Sequence, residues 1–261
     1  ENYDVRTWDL NKIAHHVNKH YMLSLSSKDS LQHTSVKDFK SILLNFKTDD
    51  LQRPTLYDFL AHRALSFFVS TEPGITRPED KLIIKGISFF GNSEAFLKTS
   101  TTSKDSMSNA LHATRIFKEL TRLHIKDKEP SALIDLTMSR LKYAHHNSVE
   151  EKRGELYLAA LNALAEKYTA HKGYAEIRFL CASYFNTVGS TYTAQNKEHQ
   201  WEKKKAVEIC DEAIQKYPNS HGAEQCKGLK ISIEQKSITF NSEMAYSPNS
   251  KGKVLLNFKN I

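Results

Sequence analysis

Several things are scarce in this sequence, and each scarcity closes off a class of protein. No apolar run approaches the roughly 18 residues that a membrane-crossing helix needs, so no segment is expected to span a bilayer. Cysteine is limited to Cys181, Cys210 and Cys226, none two residues from another, which removes the paired spacing of a zinc site and suits a disulfide framework poorly. No catalytic signature stands out, and no cofactor is called for. Charge of one sign is also thin: the formal net charge is +7, and Lys203 to Lys205 is the only run of three basic residues. That run is followed at once by Glu208, Asp211 and Glu212, so a solvated helix face is expected there and nucleic acid is not. The chain starts at Glu1 without Met or signal sequence, which reads as a processed product or an excised piece.

What is present is enough to fold. A chain of 261 residues buries roughly 75% of the surface its unfolded form exposes, without needing metal or disulfide. Hydrophobic residues at 39%, with 13 Phe and 11 Tyr, place it among globular proteins. Helical periodicity dominates. A stripe of Trp8, Ile13, Val17 and Tyr21 predicts a helix from about residue 5 to 23. His16 and His20, four apart on it, have the spacing of a helical metal pair, but Val17 stands where the hydrolase motif needs Glu, so a surface role is expected and no metal. Residues 24–35 read as a polar turn, and 35–44 as a short helix with Phe39, Ile42 and Leu43 inward.

Pro54, then Thr55 with Asp58 three residues later, mark the start of a well-buried helix facing inward through Leu56, Leu60, Ala64 and Phe67. From Val69 to Ser106 no helical period survives; this crossover is expected to pack down through Leu82 to Phe90, which is too apolar to hang in water. Helices are then predicted over 108–125, 131–145, 148–168 and 174–192, with Ser148 and Glu151 as a capping box and Leu156, Ala159, Ala160 and Ala163 inward in the third.

Residues 201–236 read as two helices folded back at Tyr217 to Ser220. Ala206, Ala213 and Pro218, spaced by seven and five, match half of the tetratricopeptide pattern, while its first-helix positions fall on Ser190, Ala194 and Lys197 and fail. Lys167, Tyr168 and Gly173 recur at an offset of 49 as Lys216, Tyr217 and Gly222. Cys210 and Cys226 each lie eight residues from Pro218, so a disulfide across the hairpin is conceivable, worth about 3 kcal/mol; two buried thiols are the expected state. Beyond Lys236 the period becomes alternating, and Ile238, Phe240, Val254, Leu256 and Phe258 read as a strand pair. The fold expected is mostly α: an irregular α-solenoid or TPR-like array over 1–236, with a short C-terminal β-hairpin over 237–261.

The segments 54–65 (PTLYDFLAHRAL), 110–120 (ALHATRIFKEL), 205–214 (KAVEICDEAI), 217–220 (YPNS) and 253–261 (KVLLNFKNI) resemble the N-terminal helical region of large bacterial alpha-2-macroglobulin-like proteins. The resemblance implies an exported protein of the periplasm or cell envelope that inhibits proteases, in which a helical array precedes a string of β-sandwich domains. Residues 237–261 would then be the start of a first sandwich domain, and the partners would be other domains of the same polypeptide, with a protease or other protein engaged through the whole molecule. The family's Cys-Gly-Glu-Gln thioester is absent: Cys210 to Ala213 has Ala where Gln must stand, and Glu224 to Cys226 runs in reverse. The chain is therefore expected to be a non-enzymatic scaffold whose docking candidates are Trp201, Tyr217, Ile238, Phe240, Val254, Leu256 and Phe258. The alternative is a self-standing TPR-like adaptor binding a peptide in a groove lined by successive helices.

Overall fold

The computed structural model describes residues 4–43, 52–70, 82–106, 108–193, 195–242, 252 and 254–259. Among them are ten α-helices and one antiparallel pair of strands, so the architecture is mostly α, an irregular helical array with a short C-terminal β-hairpin. The chain forms two compact units, Glu1–Leu164 and Ala165–Ile261.

In the first unit, α1 (Leu10–Ser24) starts where Asp9 accepts the Lys12 N–H at 2.7 Å, after a separate 3-10 turn at Val5–Thr7. The single helix expected from residue 5 is thus broken by its own cap. The polar stretch expected as a turn contains a further helix, α2 (Lys28–His33). The short helix expected over 35–44 is only a 3-10 turn at Val36–Phe39; Ile42 is 74% exposed, Leu43 is half-buried, and residue 44 lies outside the described residues. Tertiary pairing explains the difference. The Val36 N–H is given to the Pro54 carbonyl at 3.1 Å and the Leu56 N–H to the Thr34 carbonyl at 2.9 Å, which holds the segment extended beside the start of α3 (Leu56–Val69).

The capping box at that start is present. Thr55 Oγ1 accepts the Asp58 N–H at 3.2 Å, and Asp58 Oδ2 accepts the Thr55 N–H at 2.9 Å, so Asp does the work usually given to Glu. The buried face of α3 is rotated from the expected one: Tyr57, Ala61, Ala64, Leu65 and Phe68 are buried, whereas Leu60 and Phe67 are half-exposed. A helix apolar on nearly every side has no periodicity to choose its inner face; packing against α2 and α5 (Asn109–His124) chooses it.

The described part of the crossover is packed down through Ile84, Phe89, Phe90 and Phe96, although Ile83 and Ile87 are exposed, and it contains a helix that was not expected there, α4 (Ser93–Leu97); residues 71–81 lie outside the described residues. Arg140, on α6 (Ser131–Asn147), holds it there. Its guanidinium donates to the Phe89 carbonyl at 2.6 Å and the Gly91 carbonyl at 2.9 Å, and lies 4.5 Å from the centre of the Phe96 ring. Gly86 turns the segment with φ of +99°, a left-handed conformation that favours glycine, and gives its N–H to Glu150 Oε1 at 2.8 Å.

The crossover also overturns the capping box expected at Ser148. Ser148 closes α6, its neighbour Val149 donates to the Ile84 carbonyl at 3.1 Å, and α7 (Arg153–Lys167) begins only after this bridge. On α7 Tyr157, Leu161 and Ala165 are buried, whereas of the residues expected inward Leu156 and Ala160 are only half-buried and Ala159 and Ala163 are exposed.

In the second unit, α8 (Tyr174–Gly189), α9 (Glu202–Lys216) and α10 (His221–Glu234) pack on one another. The chain reverses at Tyr217 to Ser220, where Ser220 Oγ accepts the Ala223 N–H at 3.2 Å. Ala206 and Ala213, the two matched repeat positions, are fully buried. Gly222 permits a close approach: a Cβ there would stand 2.2 Å from the Glu176 nitrogen of α8.

Candidate functional site

The second unit ends in a ribbon whose chemistry follows from its register. Strand β1 (Ser237–Ser242) pairs antiparallel with β2 (Val254–Lys259), setting Ile238 opposite Phe258, Phe240 opposite Leu256 and Ser242 opposite Val254. Side chains alternate along a strand and directly opposed residues share a face, so these three pairs form one face of the ribbon. Thr239 with Asn257, and Asn241 with Leu255, fall on the other. One face is therefore almost wholly apolar and the reverse largely polar, the pattern of a strand pair built to cover a core.

That core is not supplied by the described residues. Ile238, Phe240, Val254, Leu256 and Phe258 are between 49% and 71% exposed. A two-stranded ribbon is marginal in water unless further strands or a packed surface support it, and a contiguous exposed apolar face marks a place of contact. Five of the seven docking candidates thus come together on one surface.

The other two separate. Trp201 caps the start of α9 and is 69% exposed. Tyr217 is half-buried and committed internally: its hydroxyl donates to the Thr169 carbonyl at 2.9 Å, and its ring centre lies 6.0 Å from that of Tyr174. Tyr217 thus ties the turn between α9 and α10 to Thr169. Leu255, 61% exposed, joins the apolar surface residues from the opposite face; strict alternation hid it, because it breaks the pattern.

The His16 and His20 rings stand 6.1 Å apart in a groove of about 550 Å³ between α1 and α3, with His16 4.3 Å from the Trp8 ring. Burial, and then the neighbouring charges of His20, Lys19, His15 and Lys12, hold the His16 pKa below that of ordinary imidazole. Among the described residues no group of three or more His, Cys, Asp or Glu is placed to share a metal ion, and two imidazoles leave a tetrahedral site half filled.

A second polar cluster was missed in the sequence. His124 at the end of α5 faces Asp58 through Nε2 at 2.7 Å and Asp127 through Nδ1 at 2.7 Å. With both ring nitrogens held by carboxylates, His124 has none left to take a proton from a substrate, so the cluster is a brace. Only the Thr55 and Asp58 capping pair hinted at it; the partner lies 66 residues away.

No helix among the described residues is long and apolar enough to cross a membrane. Compared with protein-family models, curated proteins and solved structures, the chain matches none.

Proposed function

We propose that this chain is a non-catalytic helical scaffold of a larger, exported alpha-2-macroglobulin-like protease inhibitor, and that β1 and β2 are strands of a sandwich domain formed with further residues of the same polypeptide. The observation that carries the reading is the one-sided ribbon: Ile238, Phe240, Val254, Leu256 and Phe258 on a single exposed face. One face inward and one outward is what each sheet of a β-sandwich requires. A ribbon with two open edges would also continue its hydrogen-bond ladder into neighbouring strands. The resemblance of the helical segments to the N-terminal region of those inhibitors supplies the family and, with it, the envelope location. The adaptor reading draws no support from the groove beside α1, which two helices enclose rather than a succession of them.

Hydrogen exchange on this chain alone and on the full-length protein tests the proposal. The amides of β1 and β2 exchange rapidly in the isolated chain and are protected in the longer protein. Equal exchange in both, or a coding frame that stops at Ile261, overturns it.

A further inference from the structure

The groove between α1 and α3 has two walls of unlike chemistry. On α1, His16, Val17, His20, Tyr21 and Ser24 fall at helical spacing along one side, and Trp8, just before the helix, lies against His16 with ring centres 4.3 Å apart. On α3, Leu60 and Arg63, three residues apart, make the facing wall. Leu60 is half-exposed because it looks into this groove rather than into the core. Tyr21 is fixed from behind by stacking on Phe67 at 4.8 Å. At about 550 Å³, with aromatic and aliphatic side chains making most of its lining, the groove has the size and character of a small-molecule site.

Its charge is of one sign. Helix α1 carries Lys12, Lys19 and three histidines but no Asp or Glu, and no carboxylate is among the described residues that line the groove. Asp58, the single acid of α3, is committed to His124 at 2.7 Å. Arg63 is exposed, with its guanidinium 6.0 Å from the centre of the Phe59 ring and in no ion pair among the described residues. His16, held below the ordinary imidazole pKa, presents a neutral ring at pH 7, whereas Arg63 is cationic at any ordinary pH.

We propose that this groove binds a small aromatic carboxylic acid, its ring seated among Trp8, His16 and Tyr21 against Val17 and Leu60, and its carboxylate held by Arg63. The rings of the α1 wall select a planar partner, because aromatic groups gain from stacked or edge contacts beyond the area they bury. The guanidinium selects the acid group, since its planar fork matches a carboxylate with two parallel hydrogen bonds. The absence of any described carboxylate from the lining leaves nothing there to repel an anion. Two helices alone enclose the groove, which suits one ring and one acid group rather than a peptide laid along successive helices. The site lies wholly within the first unit and stands whatever the ribbon docks.

Trp201→Phe leaves Trp8 as the single tryptophan, so its emission reports on the groove. Hydrocinnamate and its neutral amide are titrated into that variant. The expected result is a saturable change in Trp8 emission, with the acid bound about tenfold more tightly than the amide. Adding Arg63→Gln lowers affinity for the acid to that for the amide and leaves the amide's unchanged. Arg63 is exposed, so circular dichroism and melting temperature stay as they were and separate lost binding from lost folding. No saturable change up to the solubility of the acid, equal affinity for acid and amide, or an Arg63→Gln chain that binds the acid as before overturns the proposal.

Discussion

His124 Nε2 and Asp58 Oδ1 stand 2.7 Å apart with both side chains almost wholly removed from water, joining the last turn of α5 to the first turn of α3. Burial alone would lower the His124 pKa, but the hydrogen bonds and charges of Asp58 and Asp127 outweigh it and raise the value. Burial alone would raise Asp58, but His124 and the Thr55 hydrogen bonds outweigh that and lower it. The histidine's stabilisation is full below its unfolded pKa of about 6.5 and is lost as pH climbs through the raised folded value. The aspartate's is full above about 3.9 and is lost as pH falls through the depressed folded value.

Urea midpoints measured across pH are therefore expected to be highest between about 4 and about 6.5. His124→Gln removes the alkaline decline and, by leaving the Asp58 carboxylate buried without its cation, costs about 3 kcal/mol at neutral pH. Comparison of the two proteins' midpoints at about pH 5 and about pH 9 checks it.

Arg140 secures the crossover through two backbone carbonyls. Its charge survives burial, which draws its pKa down only to about 10. Arg140→Met leaves the Phe89 and Gly91 carbonyls without their donors, at roughly 1–3 kcal/mol for each that stays buried. Proteolysis is the readout: cleavage between residues 82 and 97 accelerates in the variant before global unfolding does.

Two glycines of α10 are expected to respond oppositely to Ala. Gly222→Ala forces α10 away from the α8 backbone and destabilises the unit, whereas Gly228 has nothing within 4 Å of the added methyl. Gly228→Ala is expected to stabilise by about 1 kcal/mol through helix propensity alone. Equilibrium denaturation of both variants separates close approach from propensity.

The ribbon's aromatic residues should matter for association and little for the helices. Phe240→Ser with Phe258→Ser is expected to shift helical unfolding by no more than about 0.5 kcal/mol, since both side chains are exposed. The same change is expected to reduce binding of an apolar dye and self-association by sedimentation.

Much of the fold was legible because periodicity is local. Helical spacing over 108–125 announced α5, Thr55 with Asp58 announced the start of α3, and the alternation of Val254, Leu256 and Phe258 announced the ribbon face that became the candidate site. The misreadings share one cause. Residues 35–44 and Ser148 have helical or capping patterns, yet their backbone groups, or those of an adjacent residue, are taken by strand-like bridges to Thr55 and Ile84, and no local pattern records a partner so far along the chain.

The sequence by itself determined that this protein is a helical array with a short β-ribbon, because hydrophobic spacing selects helix or strand without reference to the rest of the chain. Only the tertiary structure decided which face of α3 turned inward, that His124 would brace Asp58, and that Cys210 and Cys226 would both be fully buried. Those outcomes depend on how helices distant in sequence pack, and packing is a property of the assembled chain rather than of any window within it.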